Sequence, residues 1–305
     1  NVYIRSSKIV NIAEKIRKRI KAGIDESVPS AGYLENLNND CQLSLIQNFV
    51  NFCFWAEKGK EKWEVEYPKG NIITGGWFGL EACFRRAMEN NVPILSAEYL
   101  LDISFRDVKK LFESSNNVQI PLIKNRYENL VNEAQVLLNK YQGETINLLE
   151  ESNFKRLDII KNICRNFTSF NDAAKYKGKN VYFLKRAQFF VNNIELVFIK
   201  HGEQKIKDTK LLTAFADYKL PQILRQFGIL VYSNELAEKI DNYVLIEKGS
   251  EDEIEIRAST IWVVEHIRQK MPEYSAGNID FALWLLSQDQ SNIDKPYHRT
   301  YTINY

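Results

Sequence analysis

The sequence lacks the material for a metal centre or a disulfide framework. Its four cysteines, Cys41, Cys53, Cys83 and Cys164, are scattered and form no CxxC pair, and it has only three histidines, His201, His266 and His298. That spacing argues against a zinc site and leads us to expect reduced thiols in a cytoplasmic setting. No apolar run approaches the ~20 residues of a membrane helix, and Asn1 to Lys8 lack the apolar core of a secretory leader. Charge of one sign is also missing. With 41 Lys and Arg against 39 Asp and Glu, the net charge is +2, too small to favour a broad nucleic-acid or anionic-membrane surface. No repeat, low-complexity stretch or long linker divides the chain, so residues 1–305 are expected to form one compact domain with a full core.

What is present is helical periodicity. Ile9, Ile12, Ile16, Ile20 and Ile24 keep a spacing of three to four, which predicts an amphipathic helix over about 7–23 with Lys and Arg outside. Leu130, Ala134, Leu137, Leu138 and Tyr141 repeat the pattern, and Gly143 stands where that helix should stop. Ser104 and Asp107 read as a helix cap, and Ala187, Phe190, Val191, Ile194 and Val197 mark another buried face. Strand signals are few. Trp63 to Tyr67 alternates with period two and turns through Pro68-Lys69-Gly70 into Asn71 to Thr74, a hairpin within 62–74; Val181-Tyr182-Phe183 adds a short strand. The expected fold class is mainly α, with a small antiparallel sheet.

The segment with the most chemistry in it is Phe215-Ala216-Asp217-Tyr218-Lys219-Leu220-Pro221-Gln222. It sets a carboxylate between two aromatic rings and ahead of a proline suited to a helix's first turn. Taken alone, Asp217 reads as a helix cap, a role compatible with a fixed catalytic carboxylate. Ser250 with Glu253 resembles a capping box, and Glu253, Glu255 and Arg257 read as a solvated helix start with a surface ion pair between Glu253 and Arg257. Lys185 opens a helix, where the dipole disfavours a cation unless an anion sits nearby. Thr74-Gly75-Gly76 lacks the Lys-Ser/Thr of a phosphate-binding loop and reads as a turn into the next helix. Trp55 and Trp77, judged singly, read as core. Asp280 reads as a first-turn acid, and His298 with Arg299 as a stapled tail or as groups over a ligand.

Taken in order, Asn51-Phe-x-Phe54-Trp55, Thr74-Gly75-x-Trp77, Pro121-Leu122, Lys185-Arg186-Ala187-Gln188 and Phe215-Ala216-Asp217-Tyr218 with Leu220-Pro221-Gln222 resemble the queuosine salvage proteins. Glu253-x-Glu255-Ile256-Arg257, Asp280-x-x-Leu283-Trp284 and Pro296-x-His298-Arg299 continue the likeness, while residues before about 45 match only vaguely. These proteins are N-glycosidases that release queuine from queuosine 5′-phosphate. The resemblance implies a helical fold like that of DNA glycosylases, no metal, no cofactor and a site centred on Asp217. It implies that Asp217 faces the anomeric carbon of an oxocarbenium-like state. Phe215 with Trp55 or Trp77 would sandwich the base, and Trp284 belongs to the same set. Asp280, Glu253 and Glu255 remain open as acceptors for the guanine-like edge and the cationic arm. Lys185, Arg257 and His298 remain open as holders of the 5′-phosphate, and Tyr218 would bond the ribose. The implied partner is a mononucleotide, with no stable nucleic acid and no membrane. Two rival readings stand beside it: a helical nucleic-acid or tRNA-binding module without catalysis, and a broader purine nucleoside hydrolase.

Overall fold

A computed structural model describes residues 1–21, 34–208, 212–288 and 293–305. Ile24, which entered the sequence reading, lies outside the described residues. Within them are thirteen α-helices: α1 Ile9–Lys21, α2 Leu37–Phe49, α3 Gly76–Glu89, α4 Ala97–Asp102, α5 Phe105–Leu111, α6 Ile123–Tyr141 and α7 Thr145–Glu151, then α8 Arg156–Asn166, α9 Lys185–Lys200, α10 Lys219–Gln226, α11 Asn234–Asp241, α12 Glu251–Lys270 and α13 Ala276–Leu286. The fold class is therefore mainly α. None of these helices is long and apolar enough to cross a membrane.

The strands form three antiparallel pairs. β1 (Val2–Ile4) pairs with β6 (Leu230–Tyr232), β2 (Val65–Glu66) with β3 (Ile72–Ile73), and β4 (Ala173–Tyr176) with β5 (Lys179–Tyr182). The second is the expected hairpin, and the third contains the expected short strand. The first joins segments more than two hundred residues apart, which local alternation cannot reveal. Helix ends follow sequence signals where those signals are local. Ser104 Oγ accepts the Asp107 amide at 3.1 Å. α6 ends through a left-handed Gln142, and the Gly143 amide donates to the Leu137 carbonyl at 3.0 Å.

Two large apolar cores result. One packs α2 through α9 around residues such as Phe49, Leu130, Ile163 and Phe190. The other packs α1 and α10 through α13 around Ile16, Leu224, Val264 and Leu283. A small cluster containing Phe52, Trp55, Tyr218, Tyr297 and Tyr305 lies apart from both. A cavity is lined jointly by α9 of the first core and by the starts of α10 and α13 of the second.

Buried guanidinium groups fix the backbone around that cavity. Arg126 donates to the carbonyls of Val50, Phe52 and Cys53, and Arg186 to those of Asn48, Phe49 and Ser169. Arg257 forms a bidentate pair with Asp172 at 2.8 and 2.6 Å and donates from Nε to the Ala216 carbonyl at 3.0 Å. Asp172 Oδ2 also accepts the Lys185 amide at 3.2 Å. One ion pair thus ties α12 to the first residue of α9 and to the residue before Asp217. The expected solvated start of α12 is corrected accordingly: Glu253 and Arg257 are 2% and 1% exposed. The Ser250 cap forms at 3.3 Å, but Glu253 accepts the amide of Gly249 instead of Ser250, so the box is only half made.

Replacing Asp172 with Ala strands a buried guanidinium. It should lower unfolding stability by about 3–5 kcal/mol, measured by denaturant titration; a loss below about 1 kcal/mol would show that the pair does not hold these segments.

Candidate active site

Asp217 is held in place by the start of α10. Its Oδ1 accepts the amides of Lys219 at 2.7 Å and Leu220 at 3.0 Å, while Oδ2 makes no hydrogen bond among the described residues. Pro221 is the third residue of that helix, where its missing N–H leaves no bond unmade. The carboxylate is therefore both a helix cap and part of the wall of a cavity of about 580 Å³. That volume lies within the range of small-molecule sites.

Asp280, on the first turns of α13, faces the same space. Its Oδ2 accepts the Phe215 amide at 2.7 Å. Burial, and then the charge of Asp217, push its carboxyl up to about 8, against the opposing pull of the Phe215 amide and Lys185. At neutral pH Asp280 is thus a protonated acid with a donor to offer. Lys185 also lines the cavity and makes no ion pair among the described residues. Burial lowers its ammonium to about 8, while Asp217 and Asp280 oppose that shift.

Aromatic rings complete the wall. Trp77 meets Phe189 edge-on at 5.2 Å, and Phe189 meets Phe215 edge-on at 5.8 Å. Trp284 stacks on Phe281 at 5.9 Å. Tyr218 is buried against Tyr297 at 5.0 Å, and burial raises its phenol well above the ordinary value.

Of the residues singled out from sequence, the cavity brings together Asp217, Phe215, Tyr218, Asp280, Lys185, Trp77 and Trp284. Five others stand elsewhere. Arg257 is committed to Asp172 and lies over the rings of Phe183 and Tyr305. Glu253 lies 3.7 Å from Arg257. Glu255 accepts the Tyr176 hydroxyl at 2.7 Å. Trp55 packs on Tyr301 at 4.5 Å. His298 contacts the Tyr305 hydroxyl at 3.2 Å, and burial followed by Arg257 depresses its imidazole to about 3, leaving it neutral.

The structure also adds residues that pattern reading passed over. Asn51 is 3% exposed, lines the cavity and makes no hydrogen bond among the described residues. It opens the Asn51-Phe-x-Phe54-Trp55 motif, which was the available signal. Phe189, Asn192 and Leu196 line the cavity from the side of α9 opposite its core face. The signal there was two apolar residues, Phe189 and Leu196, outside the buried face read from periodicity. Gly277 lets α13 approach α9: a Cβ on it would sit 2.4 Å from Asn192 Oδ1. Lys219 and Tyr305 line the cavity too.

The family model described as "Queuosine salvage protein" matches residues 33–305. The chain belongs to this family. Three relatives carry the name queuosine 5′-phosphate N-glycosylase/hydrolase. The protein of Mus musculus is 35% identical over 269 residues, covering 84% of this chain and 79% of its own length. That of Sphaerobacter thermophilus is 36% identical over 265 residues, covering 86% and 80%. That of Schizosaccharomyces pombe is 32% identical over 256 residues, covering 80% and 73%.

The Asp280 proton makes a prediction about stability. Between the ordinary carboxyl value of 3.8 and about 8, the folded protein retains a proton that the unfolded chain has lost. Its stability contribution therefore falls as pH rises through that window. Asp280→Asn keeps an acceptor for the Phe215 amide and cannot titrate. The stability of wild type relative to this variant should decline with pH, by at most ~1.4 kcal/mol per unit, in denaturant melts at pH 4–8; a flat difference would refute the shift.

Proposed function

We propose that this chain hydrolyses the C1′–N9 bond of queuosine 5′-phosphate, releasing queuine and ribose 5-phosphate. One observation carries the reading beyond family membership: a carboxylate whose Oδ1 is locked by two amides and whose Oδ2 is left without a partner, in a cavity sized for a mononucleotide. Breaking the bond builds positive charge on C1′ and the ring oxygen, and a fixed carboxylate beneath the sugar stabilises that charge. In the balanced step, water adds its oxygen to C1′, the bond's electron pair goes to the base, and the released proton ends on the base.

Queuine is a 7-deazaguanine and has no ring N7 to protonate, so the leaving base must be activated through its remaining acceptors. Asp280, protonated at neutral pH, supplies a donor for one of them. Phe215, Phe189 and Trp77 offer apolar faces and edges to the flat ring system. Lys185 offsets the charge of Asp217 in a space where water screens it poorly. Tyr218 is assigned to the ribose and Trp284 to the aromatic wall. Residues 1–305 act as one unit in this reading, because neither apolar core forms the cavity by itself. Four unpaired, widely separated cysteines fit a reducing cytoplasmic setting.

Asp217→Asn keeps the Oδ1 acceptor of the cap and removes the charge. Release of queuine from queuosine 5′-phosphate should fall by on the order of 10²–10³ or more with the melting temperature nearly unchanged; wild-type turnover in this variant would remove Asp217 from the mechanism. Under the same assay GMP should yield little free guanine. Comparable turnover of GMP would instead identify a general purine nucleotide hydrolase.

A further inference from the structure

Asn51 is a buried polar side chain to which the reaction above gives no part. It stands just beyond the end of α2, where the Phe52 amide donates back to the Val50 carbonyl at 3.1 Å, so Asn51 is the apex of a three-residue turn. The backbone on both sides is pinned. Arg186 donates to the carbonyls of Asn48 and Phe49 at 2.8 and 3.1 Å, and Arg126 to those of Val50, Phe52 and Cys53. The Cys53 amide donates to the Tyr305 carbonyl at 2.8 Å. On this fixed turn the Asn51 side chain forms part of the cavity wall, 3% exposed, and its Nδ2 has no partner among the described residues.

A buried carboxamide that donates to nothing is costly, and a backbone held this firmly keeps it from turning to find a partner. A ligand in the cavity relieves that cost. The carboxamide carries a donor and an acceptor side by side and no charge, which complements two adjacent hydroxyls and gives it no charge attraction for a phosphate. Its place in the wall is next to Asp217: Phe52 and Cys53 pack in one buried cluster with Tyr218, the residue that follows Asp217. Asp280, by contrast, reaches the cavity from α13 in the other core. We propose that the Asn51 carboxamide binds the vicinal 2′ and 3′ hydroxyls of the substrate's ribose, orients the sugar over Asp217, and makes the site selective for ribonucleotides over deoxyribonucleotides. This assignment rests on the hydrolase reading above and deepens it.

The test crosses a change in the protein with a change in the substrate. In wild type and in Asn51→Ala, kcat/KM is measured for queuosine 5′-phosphate and for its 2′-deoxy and 3′-deoxy analogues. The ratio of ribo to deoxy substrate should shrink about ten-fold in the variant for each analogue. Comparing ratios cancels the different intrinsic lability of the deoxy glycosidic bonds. The loss in Asn51→Ala should be alike on queuosine and on its 5′-phosphate, which separates a sugar contact from a phosphate contact. Asn51→Leu keeps the volume and carries the same expectations if Asn51→Ala does not fold. Unchanged ribo-to-deoxy ratios in the folded variant, or a loss confined to the 5′-phosphate, would overturn the assignment. A calorimetric titration with ribose 5-phosphate and its 2-deoxy and 3-deoxy forms needs no turnover, and wild type should prefer the ribo form while the variant should not. If wild type released base from neither nucleotide nor nucleoside, the hydrolase reading would fail and this titration alone would decide the sugar contact.

Discussion

The site depends on the buried pair between Arg257 and Asp172. An isolated ion pair in a protein interior often gains little, because desolvating two charges offsets their attraction. This one is almost fully hydrogen-bonded. Asp172 accepts two guanidinium bonds and the Lys185 amide, and Arg257 spends its third bond on the Ala216 carbonyl. Its effect is positional. Three chain segments with no sequence proximity are brought into register, and two of them carry Lys185 and Asp217. Arg126 and Arg186 do the same for the Asn48–Cys53 segment that presents Asn51. The cavity is thus walled by backbone that buried cations hold in place.

Inside that frame the chemistry is a matter of charge balance in a poorly screened space. Asp280 and Lys185 are each shifted first by burial and then by the charge of Asp217, in one water-poor cavity. Two carboxyl groups near each other take different roles when their surroundings differ. Asp217 stands at a helix start, bonded to two amides; Asp280 accepts a single amide and is more deeply buried, which keeps its proton. The proposed glycosidic cleavage, with no basic ring nitrogen to exploit, uses Asp217 as the fixed carboxylate and Asp280 as the proton donor.

Much of the architecture was legible in advance. The periodicity of α1, α6 and α9 located those helices, and the 62–74 hairpin and the Ser104 cap followed from local turn and cap chemistry. Asp217, Phe215, Tyr218, Asp280, Lys185, Trp77 and Trp284, all singled out by motif, line the cavity. The misreadings share one cause. Glu253, Glu255 and Arg257 look like a solvated helix start, because sequence cannot show that Asp172 and Tyr176 lie beside them. His298 is similarly absorbed by Tyr305, while Trp55 packs in the core as its own segment suggested. Asn51 escaped notice because a carboxamide signals nothing until its lack of partners is seen.

The sequence by itself determined the helical class, the positions of the main helices and the carboxylate around which the site is built, since these rest on local periodicity, capping and motif order. Only the tertiary structure decided which charged residues face a ligand and which hold the scaffold. That division depends on long-range pairing: a charge with a buried counterion, as in Arg257, becomes framework, and one without an ion pair among the described residues, as in Lys185, stands in the cavity wall.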